Sequence, residues 1–179
     1  VGGSLGARTI NNCVMEGLDK IKASGAQFIW QTGKIYIGEA RAAVAQAGEL
    51  PMLHVTDFIS DMAAAYSAAD LIISRAGAGS ISEFCLLGKP VILVPSPNVA
   101  EDHQTKNALA LVNKQAALYI KDSEATQKLL DTAIDTVRKP DLLEELSKNI
   151  KKLAIKDSAT IIAKEVCKLA LKYQESHEH

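Results

Sequence analysis

Aromatic residues are scarce in this sequence, only 4% of its 179 positions, while 26 positions are alanine. Strands favour aromatic and β-branched side chains, so an all-β sandwich is disfavoured. The base-stacking platforms of a single-strand nucleic-acid binder are lacking as well. Neither sign of charge dominates: 20 Lys+Arg stand against 21 Asp+Glu, for a net charge of −1. No bulk positive field therefore draws the chain to a phosphate backbone, and nucleic acid is not expected as a partner. No apolar run approaches the roughly 20 residues that span a bilayer. Cys13, Cys85 and Cys167 are odd in number, far apart, and set in apolar helical patterns. They read as buried free thiols in a reducing compartment rather than as a disulfide framework or a zinc site. What is present, 47% apolar and 23% charged residues, is ordinary composition for a helix-rich domain with one full-sized core.

Along the chain, helix-period and strand-like segments alternate. Ile10, Val14, Leu18 and Ile21 fall on one helical face, so one first helix is expected there, ending at Gly25. Phe28-Ile29-Trp30, Leu53-His54-Val55, Leu71 to Ser74, Val91 to Pro95 and Ala117 to Ile120 read as strands. Helices are expected around Glu39 to Ala47, from Met62 to Ala68 with Asp61 as cap, from Ser80 to Leu87, and up to about Lys114. The remainder is helical. Continuously apolar strands alternating with helices mean a parallel sheet covered on both faces. A Gly-rich turn ordinarily follows a strand, so the Gly2-Gly3-Ser4 turn predicts that the unit's first strand lies upstream of Val1. With it the sheet has about six strands, an α/β Rossmann-like doubly wound domain over residues 1–157. A last helix is expected within 158–175.

In open parallel sheets, ligands bind beyond the carboxyl ends of the strands. Four such loops carry unusual residues. Gly2-Gly3-Ser4-Leu5-Gly6-Ala7 precedes a helix, where glycines allow close approach and free N–H groups attract anions; a plain tight turn reads equally well. Arg75-Ala76-Gly77-Ala78-Gly79-Ser80-Ile81-Ser82-Glu83 offers a second helix start. Here Ser80 and Glu83 fit a capping box, while Glu83 could instead accept two hydrogen bonds from a ribose diol. Arg75 suits either a phosphate or a surface carboxylate. Asp102-His103-Gln104-Thr105-Lys106-Asn107 suits a hydroxyl-rich ligand, or is a solvated first turn capped by Asp102. In Asp57-Phe58-Ile59-Ser60-Asp61-Met62, the apolar pair could flank a flat base, although core packing is its commoner fate.

Among the histidines, His54 lies in a strand and His177 and His179 in the tail, so only His103 is placed for chemistry. There is no Ser-His-Asp grouping, no paired carboxylates and no Cys/His zinc spacing. The lysines from Lys148 to Lys172 are interspersed with acids and read as solvated helix faces.

In order and interval, Gly2 to Ala7, Phe58-Ile59-x-x-Met62, Arg75-x-Gly77-Ala78-x-Ser80-x-Ser82-Glu83 and Asp102-His103-Gln104-x-x-Asn107-Ala108 resemble the MurG family. These are the bacterial N-acetylglucosaminyltransferases of glycosyltransferase family 28 that convert lipid I to lipid II in peptidoglycan synthesis. The resemblance runs from Val1 to about Leu171 and covers the C-terminal, donor-binding half of a two-domain GT-B enzyme. It implies UDP-N-acetylglucosamine as ligand, with Gly3, Ser4, Gly6 and the backbone of Ala78, Gly79 and Ser80 at the diphosphate. Glu83 would bind the ribose, Phe58 and Ile59, with Met62 in the same motif, would border the uracil, and His103, Gln104 and Asn107 would meet the sugar. Gly79 stands where some relatives carry a larger apolar residue, which implies backbone recognition there. The general base, the lipid I groove and the membrane contact would belong to the other half, on the cytoplasmic face of the membrane. The helix within 158–175 would return toward that half. No cofactor is required, and Mg²⁺ would enter only as a companion of the diphosphate. A diacylglycerol-type sugar transferase, a dinucleotide-binding domain and a non-catalytic module are the competing readings, the second disfavoured by the lack of G-x-G-x-x-G.

Overall fold

Val91, Ile92, Leu93 and Val94 are all fully buried, and the fold is organised around them. In the computed structural model, which describes residues 7–97 and 102–154, Val91–Leu93 forms a strand between two parallel neighbours. Val91 and Leu93 pack on one side with Tyr66, Phe84, Ala108, Leu111 and Ile150. Ile92 and Val94 pack on the other with Ile10, Cys13, Ala125, Leu129 and Ala133. Because side chains alternate along a strand, burial on both faces demands the unbroken apolar run that the sequence shows.

The described strands are β1 (Phe28–Gln31), β2 (Leu53–Thr56), β3 (Ile72–Ser74), β4 (Val91–Leu93) and β5 (Leu118–Tyr119). The helices are α1 (Arg8–Glu16), α2 (Leu18–Ser24), α3 (Ile37–Ala47), α4 (Met62–Ala68), α5 (Ala78–Leu87), α6 (His103–Val112), α7 (Ala125–Val137) and α8 (Pro140–Lys152). All strand pairs are parallel and fall into two ladders, β1-β2 and β3-β4-β5. Phe28 lies opposite Leu53 in the first, Ile72 opposite Val91 and Ile92 opposite Leu118 in the second. The five described strands thus form a pair and a triplet, and the sixth strand expected from the sequence lies outside the described residues. The Gly3, Ser4 and Gly6 loop and the expected helix within 158–175 lie outside the described residues.

Where the apolar spacing predicts one helix through Ile10 to Ile21, the structure has two, broken at Gly17. Helical bonds still run across it, from Gly17 N to Cys13 O at 3.1 Å and from Ile21 N to Gly17 O at 3.0 Å. A Cβ at Gly17 would stand 2.0 Å from Leu130 Cδ1 of α7, so the missing side chain lets the backbone approach α7 while Val14, Leu18 and Ile21 bury together around Trp30 and Leu53. Cys13 and Cys85 are buried free thiols, and burial pushes both pKa values up, which keeps them in the inert thiol form. Cys167 lies outside the described residues.

Candidate functional site

Most of the described residues singled out from the sequence lie on the loops leaving β2, β3 and β4 or in the first turns of the helices that follow. The β3 loop is fixed from several directions. Ser74 O accepts from Val94 N at 2.9 Å, which continues the ladder beyond β4. The guanidinium of Arg75 donates to Val94 O at 3.0 Å and to Pro95 O at 3.2 Å, and forms a close ion pair with Asp122. Asp122 also accepts from Thr9 Oγ1 at 2.9 Å, so the first turn of α1 joins the same network. Of the two partners open to Arg75, the structure thus supplies the carboxylate.

Ala76 is fully buried, and both polar atoms of its backbone are engaged by α6. Its N–H donates to Gln104 Oε1 at 3.2 Å, and its carbonyl accepts from Asn107 Nδ2 at 3.1 Å. Gln104 Oε1 accepts a second bond, from Ser96 N at 2.9 Å. Gln104 and Asn107 are half-buried tethers between loops, and the picture of a merely solvated first turn is corrected for both. Asp102 does not cap α6 through its side chain; it stands in the left-handed region at φ 53°. His103 opens α6 and is exposed.

A capping box at Ser80 and Glu83 is also corrected. Helix α5 starts earlier, at Ala78, with Gly77 in extended geometry as the N-cap and no side-chain cap bond. Ser80 is therefore the third residue of the helix and Glu83 the sixth. Released from capping, the exposed Glu83 accepts a bond from Tyr66 Oη at 3.3 Å. Tyr66 is itself buried, edge-on to Phe84 with ring centroids 5.6 Å apart. Burial first, then the charge of Glu83 and this hydrogen bond, pushes the Tyr66 pKa up to about 12, so the phenol keeps its proton and donates at neutral pH. Ala78 and Gly79 are exposed at the helix start.

At the end of β2, Phe58 is 53% exposed, not packed in the core, the commoner fate of such a residue. Its backbone is held by a bond from Thr56 Oγ1 to Phe58 O and another from Phe58 N to Asp57 Oδ1, both 2.9 Å. Ile59 is half-buried, and Met62 packs against the Tyr66–Phe84 core. Asp61 caps α4 as expected, accepting from Ala64 N at 2.9 Å. Sequence reasoning missed Tyr66, Asp122, Thr9 and Ser96. Their partners lie 8 to 113 residues away, and nothing in their local pattern marks them. Among the described residues, no three His, Cys, Asp or Glu side chains converge on a metal-sized space. No described helix is long and apolar enough to cross a membrane.

A family model, the glycosyltransferase family 28 C-terminal domain, matches residues 1–163. The chain belongs to that family. The UDP-N-acetylglucosamine--N-acetylmuramyl-(pentapeptide) pyrophosphoryl-undecaprenol N-acetylglucosamine transferase of Phocaeicola vulgatus is 84% identical over 177 residues, covering 99% of this chain and 47% of the relative. Its counterpart in Parabacteroides distasonis is 56% identical, over 94% of this chain and 46% of the relative. The crystal structure of Acinetobacter baumannii MurG superposes with a TM-score of 0.80 at 32% identity, covering 94% of this chain and 48% of that one. The kitacinnamycin glycotransferase shares the fold alone, with a TM-score of 0.56 at 22% identity over 82% of this chain and 34% of its own. The family 28 domain thus spans about half the length of the curated relatives it matches. The α/β architecture of parallel strands and covering helices agrees with the GT-B half-fold expected from the sequence.

Proposed function

We propose that this family 28 domain is the donor-binding half of an inverting transferase that moves N-acetylglucosamine from UDP-N-acetylglucosamine to lipid I, forming lipid II. The observation that carries the reading is the start of α5. Its N-cap is a glycine, Ala78 and Gly79 are exposed, and Glu83, no longer needed as a cap, stands one and a half turns on. Backbone N–H groups at such a start suit a diphosphate, and an ionised carboxylate suits two ribose hydroxyls. Phe58 and Ile59 would border the uracil, Ser4 with Gly3 and Gly6 would complete the diphosphate site, and His103 would face the sugar.

In the reaction, the acceptor C4 hydroxyl attacks the anomeric carbon, its proton passes to a base, and the bond to UDP breaks with inversion. The residues of this half hold the donor and stabilise charge growing on the leaving diphosphate. The base, the acceptor groove and the contact with the cytoplasmic face of the membrane belong to the other half of the enzyme, so this chain alone binds donor with little turnover. Any Mg²⁺ would arrive on the diphosphate, since the described side chains form no carboxylate set to hold it.

Titration calorimetry tests the reading. UDP and UDP-N-acetylglucosamine should bind, the latter ahead of UDP-glucose and UDP-galactose, and NADH should not. Glu83→Ala should weaken UDP about tenfold or more, because hydrogen bonds to a charged group are worth about 1.5–3 kcal/mol. Unchanged UDP affinity in that variant would return Glu83 to a purely structural role. A preference for UDP-glucose would favour the diacylglycerol type.

A further inference from the structure

An exposed glutamate is a loose hand for a ribose, because a ligand that orders it must offset the rotamer freedom it loses. Glu83 is exposed on α5, yet it is not left to itself: Tyr66 Oη, from α4, donates to its Oε2 at 3.3 Å. The donor is far better fixed than the acceptor. The Tyr66 ring is 6% exposed and stands edge-on to Phe84, with centroids 5.6 Å apart and planes at 85°. Phe84 is fully buried and is the neighbour of Glu83 in the chain, so the ring contact sets α4 against α5 at the level of the carboxylate. Burial and the nearby charge keep the phenol protonated, so it stays a donor at neutral pH. An ionised carboxylate has about four acceptor sites. With one of them taken by Tyr66, both oxygens still have sites for hydroxyls. Met62, at the start of α4, packs on the same cluster, which links the Phe58-Ile59 loop to the carboxylate through one short helix.

We propose that Tyr66 is a positioning residue for the ribose: its buried hydroxyl sets the Glu83 carboxylate to receive the 2′- and 3′-hydroxyls together, and so strengthens the preference for a ribonucleotide over its 2′-deoxy counterpart. This rests on the donor-binding reading above and deepens it. Ordering a binding group before the ligand arrives removes part of the cost of binding. At 3.3 Å the bond is longer than an ordinary O–H···O contact, so its effect is modest and its signature is selectivity. A tyrosine that only packs α4 on α5 would affect ribo- and deoxyribo-ligands alike. One that aims Glu83 acts chiefly on the ligand with both hydroxyls.

The test is calorimetry with UDP and 2′-deoxy-UDP on the 179-residue chain and on its Tyr66→Phe, Glu83→Ala and doubly substituted variants. The parent should bind UDP more tightly than 2′-deoxy-UDP. Tyr66→Phe keeps the ring and its packing, and should weaken UDP about threefold, the low end of what one hydrogen bond contributes. Its loss for 2′-deoxy-UDP should be smaller, so the ribose preference shrinks. In the Glu83→Ala background the added Tyr66→Phe change should leave UDP affinity where it was, because the two residues act as one unit. Equal losses for both ligands in Tyr66→Phe, or no loss for either, would overturn the positioning role; in the second case Glu83 merely satisfies a buried hydroxyl. A Tyr66→Phe loss that persists undiminished without Glu83 would overturn it as well. Those outcomes leave the donor-binding reading intact. A parent that binds no UDP, or a Glu83→Ala variant that binds UDP like the parent, would instead overturn the ribose assignment, and this inference with it.

Discussion

Helices α4 and α5 each leave the carboxyl end of a parallel strand, and they begin in opposite ways. The start of α4 is closed by its own sequence, with Asp61 accepting from Ala64 N at 2.9 Å. The start of α5 has Gly77 at the cap and no side-chain bond; its position is set from outside, by Gln104 and Asn107 on the preceding Ala76. A capping side chain is worth about 1 kcal/mol. Helix α5 does without it and keeps its first N–H groups available, so the difference separates a helix start closed by its own side chain from one left open for the diphosphate proposed above.

The comparison is broken most directly by giving α5 the cap that α4 has. Gly77 has φ −67° and ψ 140°, and a Cβ there meets nothing within 4 Å, so Gly77→Asp fits without strain. The new carboxylate should take up first-turn donors and repel a diphosphate. UDP affinity is expected to fall at least tenfold, about 1.4 kcal/mol or more, while the thermal midpoint holds or rises slightly. Calorimetry beside a melting curve measures both. A Gly77→Asp variant that still binds UDP like the parent would show that the open start of α5 is not the anion site.

The reciprocal change opens α4. Asp61→Ala should cost about 1 kcal/mol of stability, lowering the thermal midpoint by about 2–4 °C. UDP affinity should stay put. A drop in affinity equal to that of the α5 variants would erase the distinction between the two starts.

The same contrast explains what was legible in the sequence. Asp61 was readable as a cap because its partner is three residues away. Strand β4 was readable because two-sided burial leaves an unbroken apolar run in the chain itself. The S-x-x-E of Ser80 and Glu83 misled because it sits two residues inside a helix whose start is fixed by Ala76, and the grip on Ala76 comes from α6. The need for a glycine at position 17 depends on Leu130, and the partner of Arg75 is Asp122, 47 residues on. Local chemistry writes itself into local pattern. Chemistry set by packing between distant segments, which includes nearly all of the site's support, does not.

Tyr66 bridges the two helices, and its titration gives the smallest and most selective test. It belongs to the closed helix, α4, yet its hydroxyl reaches Glu83 on the open one. Its pKa in the folded chain is about 12, against an ordinary tyrosine value of about 10 in the unfolded chain. Between those values the unfolded chain has lost a proton that the folded chain still holds. The stabilisation is therefore complete below about pH 10 and fades as pH rises toward about 12. Tyr66→Phe keeps the ring against Phe84 but removes the ionising group. Urea unfolding at about pH 8 and about pH 11 should show the parent losing more stability than the variant over that interval. Equal losses would mean that Tyr66 titrates as it does in water in spite of its burial beside Glu83. At neutral pH the same variant should leave stability nearly unchanged and loosen only the aim of Glu83, a small weakening of UDP that 2′-deoxy-UDP, lacking one ribose hydroxyl, should show less.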